Sequence, residues 1–490
     1  MITASMLYNL VQCPHRMYLD KYGDQGQKDR ENPFIELLWE RGTKYEEQVV
    51  SGLGPGIENF KISPPQEKTA KTLAAMQAGV PLIYGGRIET VDLVGEPDLL
   101  RHENDAYVAI DIKSGAGEEG DDDDRRPKTH YAVQLGLYTD ILQQLGHSAG
   151  HYAFIFDIHG EEVRYDFDVP YGVRNARTLW EDYQDALTEA RAIDARQTQT
   201  LPAYGSVCKL CHWYSACLDN MRQADDLSLI FELGRSKRDA LMGDIGTLSE
   251  LAACNPNEYI HGRQTDFPGI GPDSLRKFQR RAMLASEEGD PYLTQAVAFP
   301  DADQEIHFDI EVDPLRDFCY LHGFVERDRR ANTSKYVPFF ANRVEPALEK
   351  AIFADAWRFL QKRNGRPVYY YSKYERTWWR RLAERYPDIC SIDAVNALFE
   401  SPDVIDLYYD VVRSKSEWPT IDYSVKTLAR HLGFNWRDTH PSGAASVEWF
   451  DQWVTTGDLA VRERILQYNE DDCRATGVLL DGLRVMPVHA

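Results

Sequence analysis

The stretch from Gly95 to Tyr138 constrains this chain most, because it places carboxylates and a lysine on two strands just before a helix. The runs GEPDLL and YVAIDIK have the composition of short strands and predict an antiparallel hairpin that carries Asp98 and Asp111. Asp111 and Lys113 lie two residues apart and share one strand face. Carboxylates are ligands that Mg²⁺ prefers, and a neighbouring lysine can orient water or neutralise phosphate charge. The pattern indicates metal-dependent phosphodiester cleavage, although an Asp-x-Lys on a strand is more often a solvated pair.

Two helical segments flank this hairpin and add polar groups. RGTKYEEQVV has helical periodicity and carries Glu46 and Glu47, either of which could supply a third carboxylate. Gln134 and Tyr138 are separated by one helical turn, so they lie on one helix face. In this order the elements resemble the RecB-like branch of the PD-(D/E)xK nucleases, over roughly residues 1 to 220.

The resemblance implies a restriction-endonuclease-like fold, which is a mixed sheet with helices. It implies one or two Mg²⁺ or Mn²⁺ ions on three carboxylates, a lysine that assists the attacking water, and two helix residues that position the strand. The resemblance assigns the metal to Glu46, Asp98 and Asp111, the water to Lys113, and the positioning of the strand to Gln134 and Tyr138.

The cysteines are too few and too scattered for a disulfide scaffold, at eight in 490 residues. No signal peptide or long apolar run precedes them, which predicts a reduced, cytoplasmic setting. Cys208-x2-Cys211-x5-Cys217, together with Cys13 near the start, has spacing that suits a metal or cluster site. Nearby His15 and His212 are candidates for extra ligands, although we favour their interpretation as bystanders. Simple burial is the expectation for the remaining cysteines: Cys254, Cys319, Cys390 and Cys473.

One N-terminal cysteine followed by three cysteines just after the nuclease core resembles the iron-sulfur RecB-like nucleases. The resemblance implies a structural [4Fe-4S] cluster on Cys13, Cys208, Cys211 and Cys217 that closes the domain on itself. Zinc is the alternative, because four cysteines suit either metal.

The formal net charge of −23 predicts long-range repulsion from nucleic acid. Binding would therefore depend on local basic patches and on metal ions that offset the carboxylates. Part of the acidic charge is concentrated in GAGEEGDDDDRRP. We interpret Asp121 to Asp124 as a solvated loop near the site mouth, with metal binding as the less favoured alternative.

The segment 223–295 differs in character from what precedes it. Two short helical patterns break near Gly243 and Gly246, and FPGIGPDSLRKFQRRAMLA then opens a basic helix after a glycine turn. This second piece resembles a helix-hairpin-helix element, in which backbone N–H groups and basic side chains grip a phosphate. A plain helical connector with a solvated basic face is an equally weighted alternative. The candidate nucleic-acid contacts are Gly269, Gly271, Arg276, Lys277, Arg280 and Arg281.

A second set of carboxylates lies in the last 195 or so residues. EIHFDIEVDP predicts a strand with Asp309 and Glu311 on one face, and FCYLHGFVE predicts its partner. RERILQYNEDDCRATGVLL predicts a helix with Tyr468 and Asp472 one turn apart. Together they resemble the DEDDy 3'-5' exonucleases of the ribonuclease H-like fold. The resemblance implies two metal ions on the carboxylates and a tyrosine, Tyr468, that positions the attacking water.

One element departs from that family's pattern, because its second motif normally supplies an aspartate from a helix. The nearest equivalent is Glu375, in VYYYSKYERTWWRRL, whose side chain is longer by one methylene. Asp406 is the other candidate, although Asp406 and Asp410 fit better as residues at element boundaries. The aromatic residues of YSVKTLARHLGFNW and SVEWFDQW are expected in the core of the intervening helices.

The chain is therefore expected to be an α/β multidomain protein with a nuclease domain at 1–222, a helix-hairpin-helix-like linker at 223–295 and a ribonuclease H-like domain at 296–490. We expect a metal-dependent nuclease that acts on DNA that is single-stranded or has free ends, in repair or end processing. We expect no membrane association, and a helicase is a candidate partner. The alternatives are RNA processing and a nucleic-acid-binding scaffold whose C-terminal nuclease fold is degenerate.

Overall fold

The computed structural model describes residues 1–30, 32–54, 56–120, 125–172, 176–287 and 289–489. The expected acidic loop at Asp121 to Asp124 lies outside these ranges. The chain divides into two compact units, which are residues 1–202 with 206–218, and residues 203–205 with 219–490. The helical segment that follows the cysteines belongs to the second unit.

In the first unit, helices surround a mixed sheet. The helices are α1 (Ala4–Gln12), α2 (Pro14–Tyr22), α3 (Pro33–Gly52), α4 (Pro65–Gln77), α5 (Thr129–Gln144), α6 (Leu179–Asp194) and α7 (Tyr214–Gln223), the last of which crosses the boundary between the units. The strands are β1 (Ile2–Thr3), β2 (Ile57–Asn59), β3 (Leu82–Tyr84), β4 (Ile88–Glu89), β5 (Leu93–Gly95), β6 (Leu99–Glu103), β7 (Ala106–Ile112), β8 (Glu118–Glu119), β9 (Arg126–Pro127), β10 (Tyr152–Phe156) and β11 (Glu162–Asp166).

The main sheet of this unit has the order β11-β10-β7-β6-β3-β2. The predicted hairpin is its centre, with β6 antiparallel to β7. Asn104 and Asp105 connect the two strands with φ of 50° and 61°, and this pair of left-handed residues gives the tight turn that suits strand twist. Apolar residues of α5 pack beside β7 and against α1 and α6, which buries the helix on several sides.

In the second unit, helices cover a sheet of the order β17-β16-β15-β18-β19. The helices are α8 (Gly234–Leu241), α9 (Leu248–Ala253), α10 (Pro272–Ser286), α11 (Pro346–Gln361), α12 (Tyr374–Arg385), α13 (Ile392–Phe399), α14 (Arg413–Lys415), α15 (Val425–His431), α16 (Gly443–Thr456) and α17 (Leu459–Val485). The strands are β12 (Ile260–His261), β13 (Gln264–Thr265), β14 (Tyr292–Leu293), β15 (Gln304–Asp313), β16 (Phe318–Asp328), β17 (Thr333–Phe340), β18 (Val368–Tyr370), β19 (Val404–Asp406) and β20 (Ser416–Glu417).

Strand β15 lies at the middle of this sheet, antiparallel to β16 and parallel to β18. Ile306, Phe308 and Ile310 alternate along it and belong to the apolar core. Because side chains alternate across a strand, Asp309 and Glu311 face the opposite side, where α17 packs. A β-bulge shifts the pairing of β15 with β16 just after Glu311.

Candidate active sites

The hairpin of the first unit sets Asp98 and Asp111 side by side. Leu99 pairs with Ile110, so Asp98 and Asp111 are the next residues opposite one another in the ladder. The Ile112 amide donates a hydrogen bond to Asp98 Oδ2 at 2.7 Å, and the Asp98 amide donates to Asp111 Oδ1 at 3.4 Å. Backbone pairing therefore fixes the two carboxylates before any ligand is present.

Lys113 and Asp98 show how strongly this site is charged. Burial lowers the pKa of Lys113, but Asp111 and Asp98 more than offset this effect, and Lys113 Nζ lies 2.8 Å from Asp111 Oδ2. Burial and then the charge of Asp111 raise the pKa of Asp98 to about 7. The Lys113 ammonium group alone does not neutralise the two carboxylates, and a divalent cation would lower the cost of ionising both.

Helix α3 brings Glu46 to the same place, whereas the neighbouring Glu47 is exposed. Lys61 Nζ contacts Glu46 Oε1 at 2.5 Å and lies 4.0 Å from Asp98 Oδ1, so it bridges the two carboxylates. Glu46 also hydrogen-bonds with Tyr84. Sequence reasoning missed Lys61, because nothing in its local pattern marks a tertiary contact.

The two helix residues differ in their surroundings. Gln134 is half-buried, and its Oε1 has no hydrogen-bond partner. Tyr138 is 4% exposed, and a Cβ at Gly95 would lie only 2.5 Å from its ring. Burial, then Asp111 and Asp98, raise the pKa of Tyr138 well above its ordinary value. Tyr138 is therefore a neutral core residue close to the carboxylates, and Gln134 retains an acceptor without a partner.

The four grouped cysteines lie in the first unit. Cys13 separates α1 from α2, Cys208 lies in a 3-10 turn at Ser206–Leu210, and Cys217 is in α7. The Trp213 amide donates to Cys211 Sγ at 3.5 Å. Burial is the main cause that raises the pKa of Cys211, and the thiol of Cys13 is near enough to contribute.

The two histidines near these cysteines have hydrogen-bond partners within the protein. His15 Nδ1 contacts Thr200 Oγ1 at 2.9 Å, and His212 Nε2 contacts Asp20 Oδ1 at 2.6 Å. Among the other cysteines, Cys319, Cys390 and Cys473 are buried, and Cys254 is half-buried.

The basic helix α10 corrects one expected nucleic-acid contact. Gly269 has φ of 76°, and Gly271 precedes the helix as its N-cap. Arg281, however, is 2% exposed, and it bonds Glu417 and the Phe231 carbonyl. Because its guanidinium is enclosed by these groups, Arg281 stabilises the second unit and does not reach a phosphate.

The other basic residues of α10 are more accessible. Lys277 Nζ lies 2.9 Å from Glu232 Oε2, and Arg276 lies 3.1 Å from Asn257 Oδ1. Arg280 is exposed. These three residues and the two glycines remain candidate contacts, although Lys277 and Arg276 already have partners.

The second unit brings Asp309, Glu311 and Asp472 together. Each offers a carboxylate oxygen, and the three oxygens all lie within 4.8 Å of one another. In the part of the chain that the structure describes, this is the group of side chains close enough together to hold one metal ion. Burial, then the charge of Asp472, raise the pKa of Glu311 to about 8, and the same two causes raise that of Asp309 well above its ordinary value. Such mutual repulsion in a buried site is relieved by a cation, so these side chains suit a divalent metal.

Asp472 is held by two side chains that sequence reasoning missed. Trp436 Nε1 donates to Asp472 Oδ1 at 2.7 Å, and Lys426 Nζ lies 3.0 Å from Asp472 Oδ2. Trp436 is buried, as expected for an aromatic residue of these helices, and its indole N–H contacts a carboxylate of the site.

Asp309 is positioned by Asn469, which was also missed. Asn469 Nδ2 donates to Asp309 Oδ2 at 2.7 Å, and the Tyr336 hydroxyl donates to Asn469 Oδ1 at 2.8 Å. Gly323, opposite Asp309 in the ladder, leaves room for this amide, because a Cβ there would lie 1.6 Å from Asn469 Oδ1.

Tyr468 and Glu375 complete the cluster. Tyr468 is buried, and burial followed by the charge of Asp472 raises its pKa well above the ordinary value, so the hydroxyl stays protonated. Glu375 is 3% exposed in the first turn of α12, and its Oε2 has no hydrogen-bond partner. Burial, then the charges of Asp406 and Asp472, raise its pKa well above the ordinary value. The unsatisfied oxygen suits a metal ligand.

Asp406 has a different role from Glu375. It accepts hydrogen bonds from the amides of Tyr408, Tyr409 and Ser372, and it caps the helical turn Leu407–Val412. This confirms the expectation that Asp406 lies at an element boundary. Asp410 is exposed beside it and accepts from the Asp406 amide at 3.2 Å.

Comparison with protein-family models assigns both units. Residues 9–218 match the PD-(D/E)XK nuclease superfamily, and residues 306–484 match the RNase_H superfamily. The chain therefore carries a PD-(D/E)XK nuclease domain followed by an RNase H superfamily domain, which confirms the two predicted folds. No curated protein and no solved structure gives a significant match. Within the described residues, no helix has both the length and the apolar character needed to cross a membrane.

Proposed function

We propose that this protein is a divalent-metal-dependent nuclease with two hydrolytic centres that process DNA ends in repair. The observation that carries the proposal is the meeting of Asp309, Glu311 and Asp472 within 4.8 Å, where their charges oppose one another. Two nuclease-superfamily domains in one chain support the same reaction. The setting is proposed to be cytoplasmic, and a helicase is a candidate partner.

In the C-terminal centre, Asp309, Glu311 and Asp472, with Glu375 beside them, would hold Mg²⁺ or Mn²⁺. Bound metal would supply charge stabilisation for the attacking and leaving oxygens. The protonated Tyr468 hydroxyl can donate a hydrogen bond to a water or a phosphate oxygen. Lys426 adds positive charge next to Asp472. We propose that this centre trims 3' ends.

In the N-terminal centre, Glu46, Asp98 and Asp111 would hold the metal, and Lys113 would orient the water. The Gln134 carbonyl oxygen, buried without a partner, is available to a water or a nucleotide amino group. Tyr138 supports the site from the core. The raised pKa of Asp98, caused by burial and by the charge of Asp111, supports this assignment, because a bound cation would offset both effects.

The four grouped cysteines are proposed to hold a [4Fe-4S] cluster. The Cys13 thiol is near enough to Cys211 to affect its pKa, so these two cysteines lie near one another. Zinc is the alternative, because four cysteines suit either metal. The Trp213 amide that points at Cys211 Sγ is the kind of donor that tunes cluster sulfur.

Iron content and the visible spectrum of anaerobically purified protein test the cluster. We expect a brown protein whose iron is lost in Cys211→Ser and retained in Cys254→Ser, since Cys254 lies outside the group. A colourless protein loaded with zinc would contradict the cluster.

Strand-specific end labels test the two centres. We expect Asp309→Asn to abolish removal of 3' nucleotides and to leave the N-terminal activity, whereas Asp111→Asn should have the opposite effect. The fall should exceed the roughly 10–100-fold typical of outer-shell partners, because a ligand itself is lost. Unchanged cleavage in both variants would contradict the proposal, and matched DNA and RNA oligonucleotides would identify the polymer.

A further inference from the structure

A second lysine, Lys61, lies among the carboxylates of the N-terminal centre. Its Nζ contacts Glu46 Oε1 at 2.5 Å and lies 4.0 Å from Asp98 Oδ1. The same Nζ is 5.5 Å from the centre of the Tyr84 ring, whose hydroxyl hydrogen-bonds with Glu46. Carboxylates and aromatic faces are the groups that attract a cation, so these three side chains form a site for one positive charge. We call Glu46, Asp98 and Tyr84 the Lys61 cation site.

The backbone around Lys61 brings it to this site. The Phe60 amide donates a hydrogen bond to the Tyr84 carbonyl at 2.9 Å, and the Gly85 amide donates to the Asp98 carbonyl at 2.8 Å. Gly85 has φ of 63°, and a Cβ on it would lie 2.8 Å from Lys61 Cα. The close approach of the two segments therefore requires glycine. Backbone hydrogen bonds thus link the turn that carries Lys61 to the part of the chain that carries Asp98.

The two lysines of this centre differ in their freedom to move. Lys113 Nζ lies 2.8 Å from Asp111 Oδ2, and the Lys113 side chain is 23% exposed. The Lys61 side chain is 42% exposed and extends from a turn after β2. An ion pair made by a long, partly exposed side chain contributes little free energy, because the side chain loses rotamer freedom and water competes for its charge. The Lys61 ammonium can therefore leave the carboxylates at small cost.

We propose that Lys61 is an exchangeable cation, which offsets the charges of Glu46 and Asp98 in the metal-free protein and is displaced when a divalent ion binds them. An ion held by both carboxylates would meet an ammonium group that already contacts one of them, and the two positive charges repel. Lys61 therefore weakens metal binding while it limits repulsion in the empty site. The inference rests on the proposed N-terminal nuclease and describes how that centre takes up its metal.

Equilibrium binding of Mn²⁺, followed by the EPR signal of the free ion, tests the exchange. The parent for this test carries Asp309→Asn, and the binding that a further Asp111→Asn change removes is assigned to the N-terminal centre. We expect Lys61→Met, which keeps the length of the side chain and removes its charge, to bind Mn²⁺ about 10-fold more tightly. Lys61→Arg keeps the charge and should bind like the parent. Equal affinity in the Met variant and the parent would overturn the proposal.

Thermal unfolding separates displacement from a purely structural role. In EDTA at about pH 8 we expect Lys61→Met to unfold at a lower temperature than the parent, because Glu46 and Asp98 then repel each other without the nearby cation. In saturating Mg²⁺ this difference should disappear, since Lys61 has also left the carboxylates of the parent. An equal loss in EDTA and in Mg²⁺ would mean that Lys61 only stabilises the fold, which contradicts the exchange.

The matched control is Lys71→Met, because Lys71 is an exposed lysine of the same unit that pairs with Glu67 on α4. This variant should change neither the Mn²⁺ affinity nor the effect of Mg²⁺ on the unfolding midpoint. If Lys61→Met raises KM for an oligonucleotide while Mn²⁺ affinity stays the same, Lys61 contacts the phosphate backbone, and the exchange is wrong.

The Asp111→Asn change distinguishes failure of this inference from failure of the nuclease proposal. If it removes no Mn²⁺ binding and cleavage requires no metal, the proposed N-terminal nuclease fails and the exchange fails with it. If Mn²⁺ binding depends on Asp111 but is equal in Lys61→Met and the parent, the inference fails alone.

Discussion

At the scale of single residues, the raised pKa of Glu311 shows that the nearby side chains do not neutralise this acidic site. Asp309 and Asp472 lie beside it, and Lys426 is the one cation, among the described residues, that acts on it, so one cation faces these three carboxylates. The ordinary pKa of 4.5 rises to about 8, which means that the folded chain keeps a proton that the unfolded chain releases. From this group, stability is fully present below about pH 4.5 and is lost as pH rises to about 8.

We therefore predict that metal-free Glu311→Gln unfolds at a higher temperature than the parent protein at pH 8.5, and that this difference shrinks steadily as the pH is lowered toward about 4.5. The amide removes the repulsion that appears only when Glu311 ionises. Thermal unfolding in EDTA and in Mg²⁺ measures this effect, and Mg²⁺ should raise the midpoint of the parent protein more than that of the variant. A variant that is less stable at pH 8.5 would refute the electrostatic account.

Gln134 is predicted to be costly for stability. Its buried Oε1 lacks a partner, and such a group costs about 1–3 kcal/mol. Gln134→Leu should raise the unfolding midpoint of the first unit by about 2–4 °C and reduce cleavage by the N-terminal centre. Thr139→Val on the same helix is the control, since the Thr139 hydroxyl already bonds the Leu135 carbonyl, and we expect no gain in stability from it.

The sequence singles out the candidate ligands of both sites, but it does not identify the residues that contact them. Asp98, Asp111, Asp309 and Asp472 stand in patterns of strand or helix, and local periodicity is sufficient to place them. Lys61, Lys426, Trp436 and Asn469 act through tertiary contacts, for which local sequence carries no signal. Arg281 was wrongly expected at the surface for the same reason, because its partner Glu417 lies 136 residues away.

At the scale of elements, the close approach of α17 to β16 leaves no room for a side chain at Gly323. Gly323→Ala would place a Cβ where the Asn469 amide lies, and Asn469 is fully buried. We predict a loss of about 1–3 kcal/mol in unfolding free energy, typical of overpacking, together with a fall in C-terminal activity as Asn469 leaves Asp309. Chemical denaturation and 3' trimming measure these effects. The matched variant Gly443→Ala, at a glycine with open space around it, should change neither.

Helices and strands were predictable where the apolar periodicity and the length of a segment indicated the same element. The hairpin β6–β7, the strand pair β15–β16 and helix α17 all combine periodic apolar residues with suitable length. The order of strands in each sheet was not predictable from periodicity alone, because it depends on pairings between distant segments such as β15 and β18. The resemblance to known folds implied a mixed sheet with helices but did not give this order.

At the scale of the whole molecule, the negative charge should limit nonspecific binding. Cations in the domain that carries the C-terminal centre include Lys373, Lys426 and Arg413, of which Lys426 is paired with Asp472 and Arg413 with Glu232. We predict that binding of single-stranded DNA by the Asp111→Asn/Asp309→Asn protein varies with salt with a logarithmic slope of about −2, since about three phosphates would be neutralised. Fluorescence anisotropy between 50 and 200 mM salt measures it. A slope steeper than about −5 would reveal a larger basic surface elsewhere.

The position of strand β15 affects how heating or mutation would reduce activity. Phe308, one residue before Asp309, stacks on Phe324 at 4.7 Å between ring centres and belongs to the central core. Two of the candidate metal ligands, Asp309 and Glu311, thus share a strand with the core, so we expect their geometry to persist for as long as the sheet is intact. Loss of 3' trimming on heating should coincide with melting of the domain instead of preceding it, and cavity-forming core substitutions far from the substrate should act as catalytic defects.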